Sequence, residues 1–445
     1  MQRASRREIL GWAMYDFASQ AYTLLIITVI FGDLFTRVIV GDAADDYRLG
    51  NLLWSLSLAA SYLLVVVIGP LAGAIMDFSA ARKRFLFASY ALSVVSTALL
   101  YCVAPGYVWL GMGLIILSNF AFSMGEAFIA SFLPDLGPRE ALGRISGFGW
   151  AMGYVGGLVA TAFALMVLGE VSEENFQRVR WVGPFAAAFL LVAALPTFLW
   201  VRERGRRRRL RHVRAYLGLG VRRVRGTLAD LRRYRELAVL LVSVFFAMAA
   251  IYIIIAFTFI YGAQVIGWTE PVRVTMFVIV QVTAAAGALG FGYLQDRLGA
   301  LRVYRGTLIL WMLAVGLIFL TPWLGRAFGV EGQYVFLAVG ALAGACLGAT
   351  QSAGRTLVGL LVPPGRAAEF FGFWGLSSKA AAILGLVGVG LLQALMGLHL
   401  SILLCLALFA LAWWAGRACH GPGAAPPGAG RRLPVPGGKP PVGGP

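Results

Sequence analysis

Apolar and polar residues divide this chain into long blocks. Twelve apolar stretches follow one another at roughly 11–38, 51–76, 84–104, 107–133, 144–168, 181–201, 237–262, 272–295, 303–323, 333–362, 368–395 and 398–416, separated by polar turns. A helix that crosses a bilayer needs about 20 apolar residues, and these stretches supply them. The alternating apolar/polar pattern of a membrane barrel is absent. Backbone amides inside hydrocarbon have no water to bond and must bond within their own segment, so each stretch is expected to be a helix. The pattern predicts an all-α integral membrane protein of twelve transmembrane helices, numbered here as spans 1 to 12. The first stretch is too long for a secretory signal and lacks a small-residue cleavage site, so no cleavable signal peptide is expected.

A polar loop from Arg202 to Glu236 splits the spans into six and six, and the two sets echo each other. The stretch 119–157 carries an apolar helix with one carboxylate, Glu126, a stop at Pro134, and a turn with Asp135, Arg139, Glu140 and Arg144. A glycine-rich apolar helix follows, and the same plan returns at 348–385. Aligning Pro134 with Pro363 sets Glu126 on Arg355, Glu140 on Glu369, Gly143 on Gly372 and Trp150 on Lys379. After the second span of each set, Gly73 and Asp77 coincide in the same way with Gly292 and Asp296. Echoes that keep chain direction and topology indicate two parallel repeats of one membrane unit. The expected organisation is a six-helix half over 1–201, a basic loop over 202–236, a second six-helix half over 237–418, and a Gly/Pro-rich tail over 419–445, expected to be disordered.

Composition supports lipid as the solvent: 60% of residues are hydrophobic and 13% charged, where a soluble chain carries about 25% charged residues. The net charge of +18 would suit nucleic acid were it spread over a surface, but fourteen arginines fall between Arg202 and Arg235. That distribution fits membrane topology instead. Arg3, Arg6, Arg7, Arg82, Lys83, Arg84, Arg297, Arg302, Arg305 and Arg366 join the arginine loop on one side. Asp42, Asp45, Asp46, Glu170, Glu173, Glu174 and Glu331 collect on the other. The basic side is therefore expected to be cytoplasmic, with both termini there, in a cell (inner or plasma) membrane. The arginine loop reads as a stop-transfer run with a linker, or as an amphipathic helix on the membrane surface. Four scattered cysteines, three separated histidines and the absence of a GxxxxGK[ST] loop give no sign of a metal site, a catalytic triad or an ATP site. No enzyme activity and no cofactor are expected.

Twelve helices arranged six plus six around a basic loop resemble the major facilitator superfamily. Its signature between second and third helices is followed by Gly292, Asp296, Arg297, Gly299 and Arg302, and more loosely by Gly73, Asp77, Arg82 and Lys83, with Phe78 where arginine is usual. Three stretches resemble the vacuole-effluxer branch, the autophagy-related amino-acid effluxers and their bacterial relatives. They are WAMYDFASQAY from Trp12, FLPDL with RISGFGWAMGYVGG from Phe132, and QSAGRT with EFFGFWGLSSKAAAILG from Gln351. The chain departs from that pattern at Phe17 and Ser19, at Ile129 and Ala130, and at Gly354 and Thr356, each time with fewer polar groups.

Ionisable groups inside a span are costly and mark pathways. Asp16, Glu126, Arg355 and Lys379 are the candidates for a substrate or ion pathway. The resemblance implies that spans 1, 4, 7 and 10 line a central cavity, which would hold the first three. By the repeat, Glu126 and Arg355 are expected to face each other near the axis. There they would grip the two ends of an amino acid or form a salt bridge that breaks during the cycle. The plainer alternatives are an interfacial Asp16 favoured by the helix dipole, a static Glu126–Arg355 pair, and a Lys379 that snorkels to the rim. Tyr252, Tyr261 and Gln264 on span 7 are read first as aromatic packing or belt placement and second as substrate contacts. The resemblance further assigns Gly73, Asp77, Arg82, Gly292, Asp296 and Arg297 to a cytoplasmic gate, with Asp77 at the start of span 11 and Asp296 at the start of span 5. The leading expectation is a secondary transporter exporting a small polar solute by alternating access. A non-transporting sensor or scaffold and a lipid translocator are the alternatives, and the intramembrane charges favour transport. The expected partners of a monomer are a small-molecule solute, a proton as a further candidate, and the lipid bilayer, without nucleic acid.

Overall fold

Each apolar stretch folds as a helix long enough to cross a membrane in the computed structural model: Arg6–Val40, Arg48–Ser79, Arg82–Cys102, Val108–Asp135, Arg139–Leu168, Phe176–Trp200, Arg235–Ile266, Pro271–Leu298, Ala300–Phe328, Gly332–Leu361, Ala367–Gln393 and Leu398–Arg417. The structure describes residues 4–42, 47–169, 171–204, 212–230 and 232–421, and all regular structure among them is helical. Arg3, Asp45, Asp46, Glu170, the Arg206–Arg209 run and the tail beyond Gly421 lie outside the described residues. A further helix, Val213–Ala229, occupies the linker between spans 6 and 7.

Local chemistry ends these helices where the chain must turn. Pro134 opens a single tight turn, Leu133–Asp135, at the end of span 4. Spans 8 and 9 join through Gly299 alone, whose φ of 91° a side chain would resist. Span 1 opens in its outer half into wider turns, with Ile30 N–H reaching Leu25 C=O at 3.2 Å and Gly41 N–H reaching Thr36 C=O at 3.4 Å. Such i→i+5 turns occur mostly as local widenings of an α-helix.

The first six spans meet the last six along two seams, spans 2 and 11 on one side and spans 5 and 8 on the other. Glycine permits both. A Cβ on Gly73 would collide with the Ala368 carbonyl oxygen, and one on Gly147 with that of Ala288. A Cβ on Gly372 would lie 2.6 Å from the Gly69 carbonyl oxygen. Backbones that approach this closely gain dispersion contacts that side chains would prevent, which drives helix association where lipid removes the hydrophobic incentive. One end of the bundle gathers the arginine-rich segments. There Arg204 pairs with Glu8 at 2.8 Å, and Arg305 donates to the Gly416 carbonyl at 2.8 Å at the end of span 12. This end is called the basic face below. Leucine, valine and tryptophan side chains such as Leu63, Val67, Leu395 and Trp414 stand exposed on the bundle's outside, as lipid contact requires.

Gly73→Ala should spread spans 2 and 11 at the basic face. Forcing a methyl into a closed seam costs roughly 1–3 kcal/mol, so the variant should melt at a lower temperature in detergent. Gly316→Ala, in the middle of span 9 with open space around it, should melt like the parent. Equal melting of both variants would show that the seam is not held by close backbone contact.

Candidate functional site

Four intramembrane charges form two ion pairs, each joining the first six spans to the last six. Asp16, on span 1, takes Nη1 of Arg355 on its Oδ2 at 2.7 Å. The guanidinium also donates from Nε to Ser146 Oγ at 3.2 Å and from Nη2 to the Ser146 carbonyl at 2.9 Å, on span 5. Its Cζ stands 4.6 Å from the ring centre of Trp12 and 5.2 Å from that of Trp150. The Arg355 side chain is 3% exposed, so these groups replace water around it: a fixed fork of donors is satisfied while two indole faces attract the cation. Gly149 makes the room, since a Cβ there would lie 2.6 Å from Asp16 Oδ2 and 2.7 Å from Arg355 Nη2.

The second pair is more open. Lys379 Nζ, on span 11, lies 3.3 Å from Glu126 Oε2 on span 4 and donates to the Tyr252 hydroxyl at 3.3 Å on span 7. The ring centres of Tyr62 and Tyr252 lie 5.2 and 5.7 Å from the ammonium. The Glu126 side chain is 31% exposed, which leaves room for a ligand to compete for its oxygens. Lys379 therefore points at Glu126 and two tyrosines, not at the rim of the membrane. Asp16 sits well inside span 1 against Arg355, away from the helix start.

The Glu126–Arg355 pairing expected from the repeat does not form. Residues related by a pseudo-two-fold axis touch only if they lie on that axis; otherwise each meets whatever the other half brings alongside. Span 4 lies against span 11, and span 10 against span 5. Glu126 thus meets Lys379, and Arg355 meets Trp150, which is the repeat counterpart of Lys379. Asp16 supplies the counter-charge that Trp150 lacks. Trp12, Tyr62, Ser146 and Trp150 were not singled out from the sequence as site residues. The aromatic residues beside charges in WAMYD, and Trp150 opposite Lys379 in the repeat, were the available signals. Tyr252 does join the site. Tyr261 instead packs within the last six spans, its hydroxyl 2.8 Å from His399 Nδ1, and Gln264 is exposed.

Below this layer, at the basic face, two carboxylates cap helix starts across the seams. Asp77 Oδ1 accepts the Ala368 amide at 3.0 Å and Oδ2 the Glu369 amide at 2.8 Å, at the start of span 11. Asp296 accepts the Gly143 amide at 2.9 Å and the Arg144 amide at 3.3 Å, near the start of span 5. A carboxylate at a helix N-terminus satisfies free amides and meets the positive end of the dipole. Gly73 and Gly292 let the backbones close up beside these contacts. Arg82 and Arg297 do not bridge the seams. Arg82 stays among the first six spans, donating to the Ser131 carbonyl at 2.8 Å and to Asp135 and lying 4.9 Å from the Phe132 ring centre. Arg297 is exposed and makes no hydrogen bond or ion pair among the described residues; it follows Asp296 by one residue, about 100° round the helix from the side chain that meets span 5. Further bonds cross between the halves from Arg139 to the Leu360 carbonyl at 2.6 Å, Ser146 to the Ser352 carbonyl at 3.0 Å, and Gln351 to Tyr154 at 3.1 Å.

Removing one partner of a buried ion pair strands the other charge and costs about 3–5 kcal/mol. Asp16→Asn and Arg355→Gln should each lower the melting temperature in detergent strongly, and the double variant should recover much of the loss. Strictly additive effects in this double-mutant cycle would show that the two side chains are not energetically coupled.

The comparisons with known proteins agree with this architecture. Residues 52–414 match the family model described as vacuole effluxer Atg22 like. An uncharacterized MFS-type transporter, YxiO, of Bacillus subtilis is 26% identical over 392 residues, covering 86% of this chain and 88% of that protein. Autophagy-related protein 22-1 of Penicillium rubens is 22% identical over 413 residues, covering 76% and 69%. Among solved structures, the human organic anion transporter MFSD10 superposes with a TM-score of 0.70 at 16% identity, covering 93% of this chain and all of the other (100%). A bacterial homologue of the iron transporter ferroportin in its outward-facing state superposes with a TM-score of 0.68 at 14% identity, covering 92% and 98%. The twelve-span architecture and the match over most of its length make this chain a membrane transporter of the major facilitator type, and it belongs to the vacuole effluxer Atg22-like family.

Proposed function

We propose that this protein is a secondary transporter that exports a small zwitterionic solute, an amino acid being the first candidate, from the cytoplasm by alternating access. The observation that carries this reading is the Glu126–Lys379 pair. One charge comes from each set of six spans, the carboxylate is partly open, and two tyrosines stand beside the ammonium. A zwitterion offers a carboxylate to Lys379 and an ammonium to Glu126, so it exchanges the internal ion pair for two new ones and neither charge is stranded. In this reading residues 1–201 and 237–418 rock as two bodies about Asp16–Arg355. The Asp77 and Asp296 caps close the basic face while the opposite side admits or releases solute. Export is our reading of the direction, supported by the effluxer description of the family. The basic face is read as cytoplasmic from its arginines, in the plasma membrane.

Two experiments test this. Counterflow of labelled amino acids into proteoliposomes should be saturable for the parent and reduced at least about a hundredfold by Glu126→Gln or Lys379→Gln, as expected when the site loses one of the two charges that hold a zwitterion. The double variant should regain thermal stability without regaining counterflow. Recovery of counterflow in the double variant would make the pair a structural bridge and sink the reading. An imposed pH gradient in the same assay reads proton coupling. For orientation, single cysteines in a Cys102→Ser background are treated with an impermeant thiol reagent on intact cells. A cysteine at Glu173 should label and one at Arg214 should not; the opposite pattern reverses the topology.

A further inference from the structure

The linker helix Val213–Ala229 takes no part in the charge layer, yet it is fastened to the clasp at the basic face. Its buried line contains Gly220 and Thr227. Gly220 sits against Leu71 and Ile75 of span 2, where a Cβ would lie 2.5 Å from Leu71 Cδ1. Arg223 donates from Nη1 to the Ala74 carbonyl at 3.3 Å, and its Nε lies 3.8 Å from Glu369 Oε2. Thr227 donates its hydroxyl to the other Glu369 oxygen. Glu369 is fully buried, is also held by Arg366, and gives its own amide to Asp77. One helix therefore braces span 2 to span 11 across the seam. The repeat counterpart of Glu369, Glu140, is exposed.

Another face of this helix is left open among the described residues. Leu217, Val221 and Leu228 are exposed. At 100° per residue they fall within a stripe about 40° wide, roughly a quarter-turn from the buried line. Arg214 and Arg225 lie along one edge of the stripe and Arg222 beyond them, all exposed. An apolar stripe of this kind is unfavourable against water. Here it adjoins the lipid-facing ridge of span 2. Leu56, Leu63 and Val67 stand exposed along that ridge, which leads to Leu71 and Ile75, where the linker helix packs. The helix thus continues the apolar belt into the level of the headgroups, with arginines at its edge. Apolar burial beside arginines is the combination that seats a helix on an anionic leaflet.

We propose that the linker helix docks on anionic phospholipid at the basic face and, through Arg223, Thr227 and Glu369, holds the seam between spans 2 and 11 closed. Lipid seats the outer side of the helix and so keeps its inner side on the seam. An anionic leaflet then favours the state closed at the basic face, and a neutral leaflet lets that face open more readily.

The test uses the full chain in nanodiscs of phosphatidylcholine alone or with phosphatidylglycerol. An environment-sensitive fluorophore on Leu217→Cys, in a Cys102→Ser background, reads lipid contact by quenching with brominated acyl chains and water contact by quenching with iodide. With phosphatidylglycerol the probe should be quenched by brominated chains and shielded from iodide. Arg214→Gln and Arg225→Gln should each weaken the preference for the anionic lipid about fivefold. Spin labels at Arg84 and Arg302 read the separation of the halves. Phosphatidylglycerol should narrow that distribution toward the short distance, and Thr227→Val should abolish the narrowing while leaving the Leu217 probe in lipid. Iodide access in both lipids would turn the stripe toward water and toward a soluble partner, overturning the proposal. Identical lipid contact in both compositions would remove the anionic recognition, and a separation indifferent to lipid would remove the link to the gate. No step needs a solute, so this proposal fails or stands apart from the transport reading.

Discussion

A charge at membrane depth is costly unless an opposite charge meets it, and here two such meetings join one half of the bundle to the other. Arg355 is held by Asp16 and Ser146, and Lys379 by Glu126. The halves of a transporter have to adhere and yet separate. Ion pairs suit that requirement better than apolar packing does. Their energy sits in a few atoms, and a ligand that carries both signs can replace them without stranding either partner.

The two pairs occupy repeat-related places but differ in character. On one side Arg355 lies closed among Trp12, Trp150, Ser146 and Asp16, with Gly149 opening just enough space for the fork. On the other Lys379 stands between two tyrosines, facing a carboxylate that remains partly open. The two places differ at the position shared by Trp150 and Lys379, an indole in one and an ammonium in the other. In the proposed mechanism the Asp16–Arg355 contact is the pivot and the Glu126–Lys379 contact the site that exchanges with ligand.

The clasp at the basic face follows the same logic with helix dipoles in place of side-chain cations. Asp77 and Asp296 each accept two amides from the partner half. Charge-assisted hydrogen bonds of this kind contribute about 1.5–3 kcal/mol apiece at most, enough to bias a two-state equilibrium. Glycines along both seams remove the side chains that would otherwise interlock. The linker helix adds an asymmetric element, fastened beside Glu369, while Glu140 is exposed.

By itself, the sequence was sufficient for the number and order of the spans, because a bilayer imposes a one-dimensional rule: about 20 apolar residues, every amide bonded locally. Where Asp77 and Asp296 go came from the family resemblance, which implied the helix starts they meet. The sequence pointed to Asp16, Glu126, Arg355 and Lys379 as unusual, because charge within an apolar stretch is visible without coordinates. It mispaired them, because register along a helix says how deep a residue lies and nothing about which helix stands opposite. The tertiary structure decided that spans 4 and 11, and spans 10 and 5, also meet between the halves. That adjacency gave Lys379 to Glu126 and turned Trp150 onto Arg355. Partners separated by more than 200 residues are chosen by how two bundles pack, and packing is a property of the assembled surfaces and of no single stretch of the chain.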